Sequence, residues 1–291
     1  MKPLKIGMIG LDTSHCIEFT KLLNNPSLPY HVPGGQITSA YPFFSEDLPI
    51  SKERVSGYTD TLEKEFNITI TESIKGTAKM SDAILLTAVD GRKHVDLFKE
   101  LLPYQLPVFI DKPMTLSVND AKELFALAEA HKVPAMSTSS LRYAESLSAL
   151  IEKYKEDITS IYINGPLPMQ EHMPGYFWYG IHMIEMAVAA LGTGIKNVSV
   201  TANNLHEIVI AEWQDGRHAI IKGDPEWHPR FGAVVHTKTE SYHADITKDH
   251  KPFYASLLEK IMEFFHTKTS PIPKEETIEV IRMIEMINQV R

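Results

Sequence analysis

Residues Asp82–Val89 read Asp-Ala-Ile-Leu-Leu-Thr-Ala-Val, a nearly continuous apolar run. A strand of that kind must be covered on both faces, and few architectures other than a parallel sheet layered with helices can cover it. The sequence on either side keeps the rhythm such a sheet needs. Leu4–Ile9 is a short apolar run closed by Gly10, and a helical pattern follows through Leu23. Strand patterns recur at Gln36–Tyr41, Pro107–Ile110 and Val133–Ser137, and helical patterns at Val55–Phe66, Thr71–Lys79, His94–Leu102 and Val118–His131. Strand and helix in alternation predict an α/β domain over residues 1–137, a doubly wound parallel sheet with right-handed crossovers.

The character changes after Arg142. A helix over Ala144–Tyr154 leads into segments rich in β-branched and aromatic residues, at Thr159–Asn164, Asn197–Ala202, Ile208–Trp213, Arg217–Lys222, Ala233–Thr237 and Ser241–Ile246. Their spacing predicts an open, mainly antiparallel sheet. The strongly apolar helix His182–Leu191 interrupts them, and helices over Pro252–His266 and Lys274–Val290 close the chain. Residues 138–291 therefore read as a second domain, of α+β class. A length of 291 residues suits two domains of this size.

Charge narrows the partners. The net charge is −8, and no long basic run or interleaved aromatic stripe occurs, so nucleic acid is not expected. No stretch of 18 apolar residues occurs, so no membrane span is expected. The single cysteine, Cys16, excludes an intrachain disulfide. The start shows no apolar leader segment, and the expected location is the cytoplasm.

A glycine turn between a first strand and its helix lets a pyrophosphate approach backbone N–H groups at the positive end of the helix. Gly7 and Gly10 stand at that turn of a Rossmann-type domain, with Leu11, Asp12, Thr13, Ser14 and His15 leading into the helix. Asp12 occupies the place of the middle glycine of G-x-G-x-x-G, and His15 that of the last. A carboxylate at position 12 is expected to repel phosphate, or else Asp12, Thr13 or Ser14 caps the helix. The second strand ends in Ala40-Tyr41-Pro42-Phe43-Phe44, without the acidic residue that usually holds the ribose hydroxyls.

Strand Val108–Ile110 runs directly into Asp111-Lys112-Pro113. In an open α/β sheet ligands bind beyond the carboxyl ends of the strands, which sets Lys112 over the cleft. Pro113 restricts the backbone and permits a cis bond that would aim the lysine. Asp111 is placed to orient the ammonium, and a lysine so held can bind a substrate hydroxyl and serve in proton transfer.

With these residues in this order, the chain resembles the Gfo/Idh/MocA oxidoreductases, the family of glucose–fructose oxidoreductase and inositol dehydrogenase. The stretches that carry the resemblance are Asp82–His94, Val108–Thr115 (with Asp-Lys-Pro where the family usually has Glu-Lys-Pro) and Ser140–Tyr143. The resemblance implies that Lys112 touches both substrate and nicotinamide, and that Thr87, Ala88 and His94 border the cofactor, which would be NAD or NADP. It implies that the second domain supports the substrate site and contacts between subunits, so a dimer or tetramer is expected. Gly175–Glu185 matches a family element carrying a catalytic histidine, and His182 takes that place. Trp178 replaces the Asp that the family sets four residues earlier, and Glu185 matches an acid three residues later.

The expected function is NAD(P)-dependent hydride transfer to or from a sugar, polyol or related hydroxy compound. Lys112 and His182 are the catalytic candidates. Asp111, Arg142, Trp178, Tyr179 and Glu185 are the substrate-side candidates, the aromatic pair as a stacking surface for a sugar ring. His182 and Glu185, three apart on one helix face, could share a metal. No H-x-x-x-H or paired-cysteine signature supports one, and no metal is expected. Two alternatives stay open. One is a non-redox protein that binds a carbohydrate-like ligand or a regulatory partner. The other is an internal-redox glycosidase or epimerase.

Overall fold

The computed structural model describes residues 2–291, which divide into two compact units. One runs through Thr138 and takes in Leu257–Ile272; the other comprises Ser139–Ser256 and Pro273–Arg291. The segment Leu257–Ile272, read from the sequence as part of the second half, thus packs with the first.

The first unit is built on β1 (Leu4–Ile9), α1 (His15–Asn24), β2 (Gly35–Tyr41), α2 (Pro49–Phe66), β3 (Thr69–Ile70), α3 (Ile74–Lys79), β4 (Ala83–Leu86), α4 (His94–Leu101), β5 (Val108–Ile110), α5 (Val118–His131) and β6 (Ala135–Ser137). The strands pair in the order β3-β2-β1-β4-β5-β6, all parallel. This is the doubly wound Rossmann arrangement. Ile6, Met8, Ile84, Leu85, Leu86 and Phe109 are buried from both faces, which explains the unbroken apolar run over β4.

Two boundaries differ from the sequence reading. The helical pattern over Thr71–Lys79 contains a shorter helix, because Thr71 still donates its amide to Ala40 beside β2, and Ser73 then caps α3 through Gly76 N. Helix α2 starts at Pro49 rather than Val55. Proline suits a first helical turn, where its missing N–H is no loss.

The second unit contains α6 (Glu145–Tyr154), β7 (Ile158–Pro166), α7 (Gly180–Leu191), β8 (Ile195–Ala202), β9 (Glu207–Trp213), β10 (His218–Asp224), β11 (Gly232–Thr237) and β12 (Ser241–Asp245). Helix α8 (Phe253–Thr267) begins in it, and α9 (Lys274–Val290) ends it. The sheet order is β12-β11-β7-β10-β9-β8. Only β7 and β10 pair in parallel; every other neighbouring pair is antiparallel, as the short-strand pattern predicts. Ile161, Ile163, Ala219 and Ile221 are buried, whereas Tyr162, Ile220 and Lys222 on the alternate positions are part-exposed. This alternation is the pleat, with the buried set turned inward.

Glu279 of α9 ties that helix to the sheet. It is buried, and one carboxylate oxygen accepts from Gly194 N at 2.7 Å and Ile195 N at 2.6 Å, at the start of β8. Its other oxygen accepts from Arg282 Nε at 3.0 Å. Removing the carboxylate leaves two backbone donors without an acceptor. Glu279→Ala is therefore expected to destabilise this unit by about 2–4 kcal/mol, and Glu279→Gln, which keeps an acceptor oxygen, by about half as much. All three tryptophans, Trp178, Trp213 and Trp227, lie in this unit, so urea titration followed by tryptophan fluorescence reads it alone.

Candidate active site

In the first unit the site candidates gather where β1, β4 and β5 end. Gly10 has φ +92°, and a β-carbon there would collide with the backbone of Ala88, so the turn requires glycine. The Gly10 amide donates to Tyr41 O at 3.1 Å and the Leu11 amide to Phe43 O at 3.4 Å. Thr87 closes the turn from the other side, its hydroxyl donating to Gly10 O at 2.7 Å. The amides of Thr13 and Ser14, at the start of α1, donate to no protein acceptor among the described residues. They are the donors this turn can offer to a pyrophosphate.

Three expectations about the turn need correction. Gly7 is not part of it: it lies inside β1, where the missing side chain makes room for Thr77 and Ser81. The Asp12 carboxylate does not face a phosphate. It is fully buried, accepting from Ser51 Oγ at 2.6 Å and from Val89 N at 3.0 Å, and so fastens the turn to α2 and to the end of β4. Burial is the dominant influence on this carboxyl and pushes its pKa up to about 6, against the pull of those two donors. Nor is a side-chain cap supplied where expected, since Ser14 makes no such bond to α1; Thr13 Oγ1 only accepts from His15 N at 3.4 Å.

His15 crosses to the Asp-Lys-Pro element. Its Nδ1 pairs with Asp111 Oδ2, and its ring stacks on Phe19. The other Asp111 oxygen accepts from Lys112 N at 2.8 Å. Burial opposes ionisation of Asp111, but the His15 ring and Lys112 outweigh it and hold the carboxyl below its ordinary range. Lys112 is partly buried, and its bond to Pro113 is cis. Loss of solvation lowers its pKa below that of an ordinary lysine, against the opposing pull of Asp111. His94 lies wholly inside, with one ring nitrogen on Met114 O at 2.9 Å and the other on Ala88 O at 2.7 Å. It joins the β4 turn to the segment just after Lys112 rather than presenting a ring edge to solvent.

In the second unit, α7 holds its candidate side chains against the turn at residues 139–143. His182 is buried, its Nδ1 lies 2.6 Å from Ser139 Oγ, and its ring meets Tyr179 and Phe231 edge-on. Tyr179 in turn meets Trp178 edge-on and accepts from the Trp227 indole N–H at 2.8 Å. Trp227 itself is 60% exposed. The result is an aromatic group with open indole surface beside a buried histidine.

Arg142 and Glu185, expected on the substrate side, face each other instead. Arg142 Nε donates to Glu185 at 2.8 Å and Nη1 to Glu276 of α9 at 2.7 Å, while Glu185 also accepts from Ser139 N at 3.3 Å. Burial alone would weaken the guanidinium's hold on its proton. The two carboxylates reverse that and raise its pKa further. These charges clamp α7, α9 and the 139–143 turn together. Ser139 is the residue that sequence reasoning missed, because nothing in the spacing joins position 139 to position 182. Among the described residues no group of three or more His, Cys, Asp or Glu side chains is arranged to hold a metal. No helix among them is long and apolar enough to cross a membrane.

Residues 51–139 match a family model described as "Oxidoreductase family, NAD-binding Rossmann fold". Scyllo-inositol dehydrogenase from Lactobacillus casei with bound NAD(H) and scyllo-inositol superposes with a TM-score of 0.79 at 12% identity, covering 99% of this chain and 97% of that one. A probable dehydrogenase from Thermotoga maritima gives 0.78 at 13% identity, over 99% and 96%. UDP-N-acetylglucosamine 3-dehydrogenase GnnA from Acidithiobacillus ferrooxidans gives 0.77 at 12% identity, over 100% and 98%. At such identities these likenesses establish the fold over the whole chain. No curated protein matches the sequence.

The buried Asp12 gives a testable pH dependence. Its carboxyl binds a proton more tightly folded than unfolded, so its contribution is greatest below the ordinary carboxyl pKa and is lost as pH rises through about 6. A shift from 3.8 to about 6 corresponds to roughly 3 kcal/mol lost by pH 8. Asp12→Asn keeps an acceptor for Val89 N and carries no charge. Its Tm relative to the parent is expected to rise between pH 4 and pH 8; parallel Tm profiles would show that Asp12 ionises freely.

Proposed function

We propose that this chain, whose residues 51–139 belong to the NAD-binding Rossmann domain of the Gfo/Idh/MocA oxidoreductases, moves hydride to or from a hydroxyl-bearing carbon of a sugar, polyol or related small molecule. The observation that carries the reading is Lys112: a lysine at the carboxyl end of β5, lowered in pKa by desolvation and held beside an Asp111 that His15 locks in place. A lysine that gives up its proton more readily than usual is suited to exchange one with a substrate hydroxyl.

The residues present fit a dinucleotide. The Thr13 and Ser14 amides would hold its pyrophosphate, Asp12 is turned away from it, and the space beyond β2 and α4 is lined by the Phe43 and Phe44 rings. When bound, the nicotinamide supplies the hydride acceptor or donor. During oxidation Lys112 Nζ takes the proton from the substrate hydroxyl, and during reduction it returns one. Within the second unit, His182, anchored through Nδ1 to Ser139, has the chemistry to recognise a hydroxyl and exchange a proton. Trp227, Tyr179 and Trp178 offer an apolar ring face of the kind that stacks on a sugar.

A second reading, ligand binding without turnover, is favoured by one observation: the family match begins at residue 51 and leaves out the turn where Asp12 and His15 replace glycines. Titration with NADH and NADPH, followed by nicotinamide fluorescence, tests the first reading. Product analysis over a panel of sugars and polyols accompanies it, so that an internal-redox reaction without net cofactor use is also seen. Binding of a dinucleotide and turnover of at least one substrate are expected. Lys112→Ala should then lose at least about a hundredfold in turnover while the fold, read by circular dichroism, is kept. Failure of both dinucleotides to bind at millimolar concentration, or full turnover by Lys112→Ala, would contradict the proposal.

A further inference from the structure

The sheet of the second unit has two faces. Ile161, Ile163 and Ile221 turn inward, and Gly165, in line with them, lies against Met183 of α7, so His182 and its helix are on that side. The alternate residues of β7 and β10 are part-exposed on the other side. The parallel register sets Asn164 opposite Lys222, with Tyr162 two residues before it and Asp224 two residues after. Together with His228 and Arg230, from the chain between β10 and β11, these side chains line a cavity of about 490 Å³.

The lining is rich in donors. Asp224 is its one carboxylate, and both oxygens are taken: Oδ1 accepts from Lys222 Nζ at 2.5 Å, and Oδ2 lies 3.1 Å from His228 Nε2. Burial opposes ionisation of Asp224, but those two partners outweigh it and hold the carboxyl below its ordinary range. His228 Nδ1 accepts from Arg230 N at 3.2 Å, so the ring proton sits on Nε2, toward Asp224, and the imidazole is neutral. Lys222 and Arg230 then bring two positive charges against one negative. Among the described residues the Arg230 guanidinium, the Tyr162 hydroxyl and the Asn164 side-chain amide have no partner. A planar guanidinium, an ammonium, a hydroxyl and an amide around one cavity form a donor set that suits an oxyanion.

We propose that this cavity is a second binding site, which takes the phosphate or carboxylate group of a small molecule through Arg230, Lys222, Tyr162 and Asn164. It lies on the face of the sheet turned away from α7 and does not depend on the oxidoreductase reading. The connection from β10 to β11 joins it to the His182 side. Trp227, next to His228, donates to Tyr179, and Phe231, next to Arg230, meets His182 edge-on.

Calorimetric titration of the intact protein with inorganic phosphate and, separately, with malonate, at constant ionic strength in a chloride buffer, tests this. At least one of the two is expected to bind with a Kd of about 1 mM or tighter. Arg230→Gln should weaken that binding at least about tenfold, and Tyr162→Phe by about threefold, with the fold checked by circular dichroism. Lys196→Gln removes the same charge from an exposed position on β8 outside the cavity and should change the affinity less than about twofold. Binding of phosphate alone assigns the site to phosphate esters, and binding of malonate alone assigns it to carboxylates. Binding of neither overturns the proposal. So does binding that Arg230→Gln leaves unchanged, since the anion then sits elsewhere, and so does an equal loss in Lys196→Gln, since overall charge would then be the cause.

Discussion

The pair between His15 and Asp111 is the interaction around which the first unit's site is organised. It spans from the turn after β1 to the residue that precedes Lys112, elements 96 positions apart in the chain. Asp111 is buried, and a carboxylate there is tolerable only because the His15 ring and the Lys112 amide meet it. With Asp111 held ionised, the neighbouring lysine keeps more of its charge than desolvation alone would leave it. His15, which stands where the last glycine of G-x-G-x-x-G would be and was expected to border the cofactor, provides the partner that holds the lysine's neighbour. His94 reinforces the same element by bonding Met114 and Ala88.

The same economy of charge runs through the rest of the molecule. Asp12 is spent on Ser51 and Val89, Arg92 on Asp90 and Asp47, Arg142 on Glu185 and Glu276, and Glu279 on the start of β8. Asp12, Arg142 and Glu185 are charged groups that the sequence offers to a ligand. Each instead joins segments far apart in the chain, satisfying backbone or side-chain partners that burial would otherwise leave unpaired. Lys112 differs from these in its place, at the end of a central strand where an open α/β sheet binds its ligands.

The fold was legible because its signals are local. The apolar run at β4, the alternation of strand and helix, and the period-two pattern on β7 and β10 each follow from burial of nearby residues. The short β3 escaped notice, since two residues carry no periodicity, and the parallel pairing of β7 with β10 is a property of topology rather than of either segment. For the site, Lys112 and His182 stood out because strand end and helix start are readable positions. What could not be read was direction. Asp12 and Glu185 have the chemistry of site residues, but whether a carboxylate turns toward a ligand or toward Ser51 or Arg142 depends on partners 39 and 43 residues away. Leu257–Ile272 likewise reads as one more amphipathic segment, and nothing in it names the unit it packs with.

Burial and Asp111 together set the proton affinity of Lys112. Reductive ¹³C-methylation of the lysines, with the Lys112 signal assigned by its loss in Lys112→Arg, lets that proton be titrated directly by NMR. Lys112 should titrate below the ordinary lysine value of about 10.4, and lower still in Asp111→Asn, where the opposing charge is gone. A Lys112 that titrates at the ordinary value, unmoved by Asp111→Asn, would contradict the account at its centre.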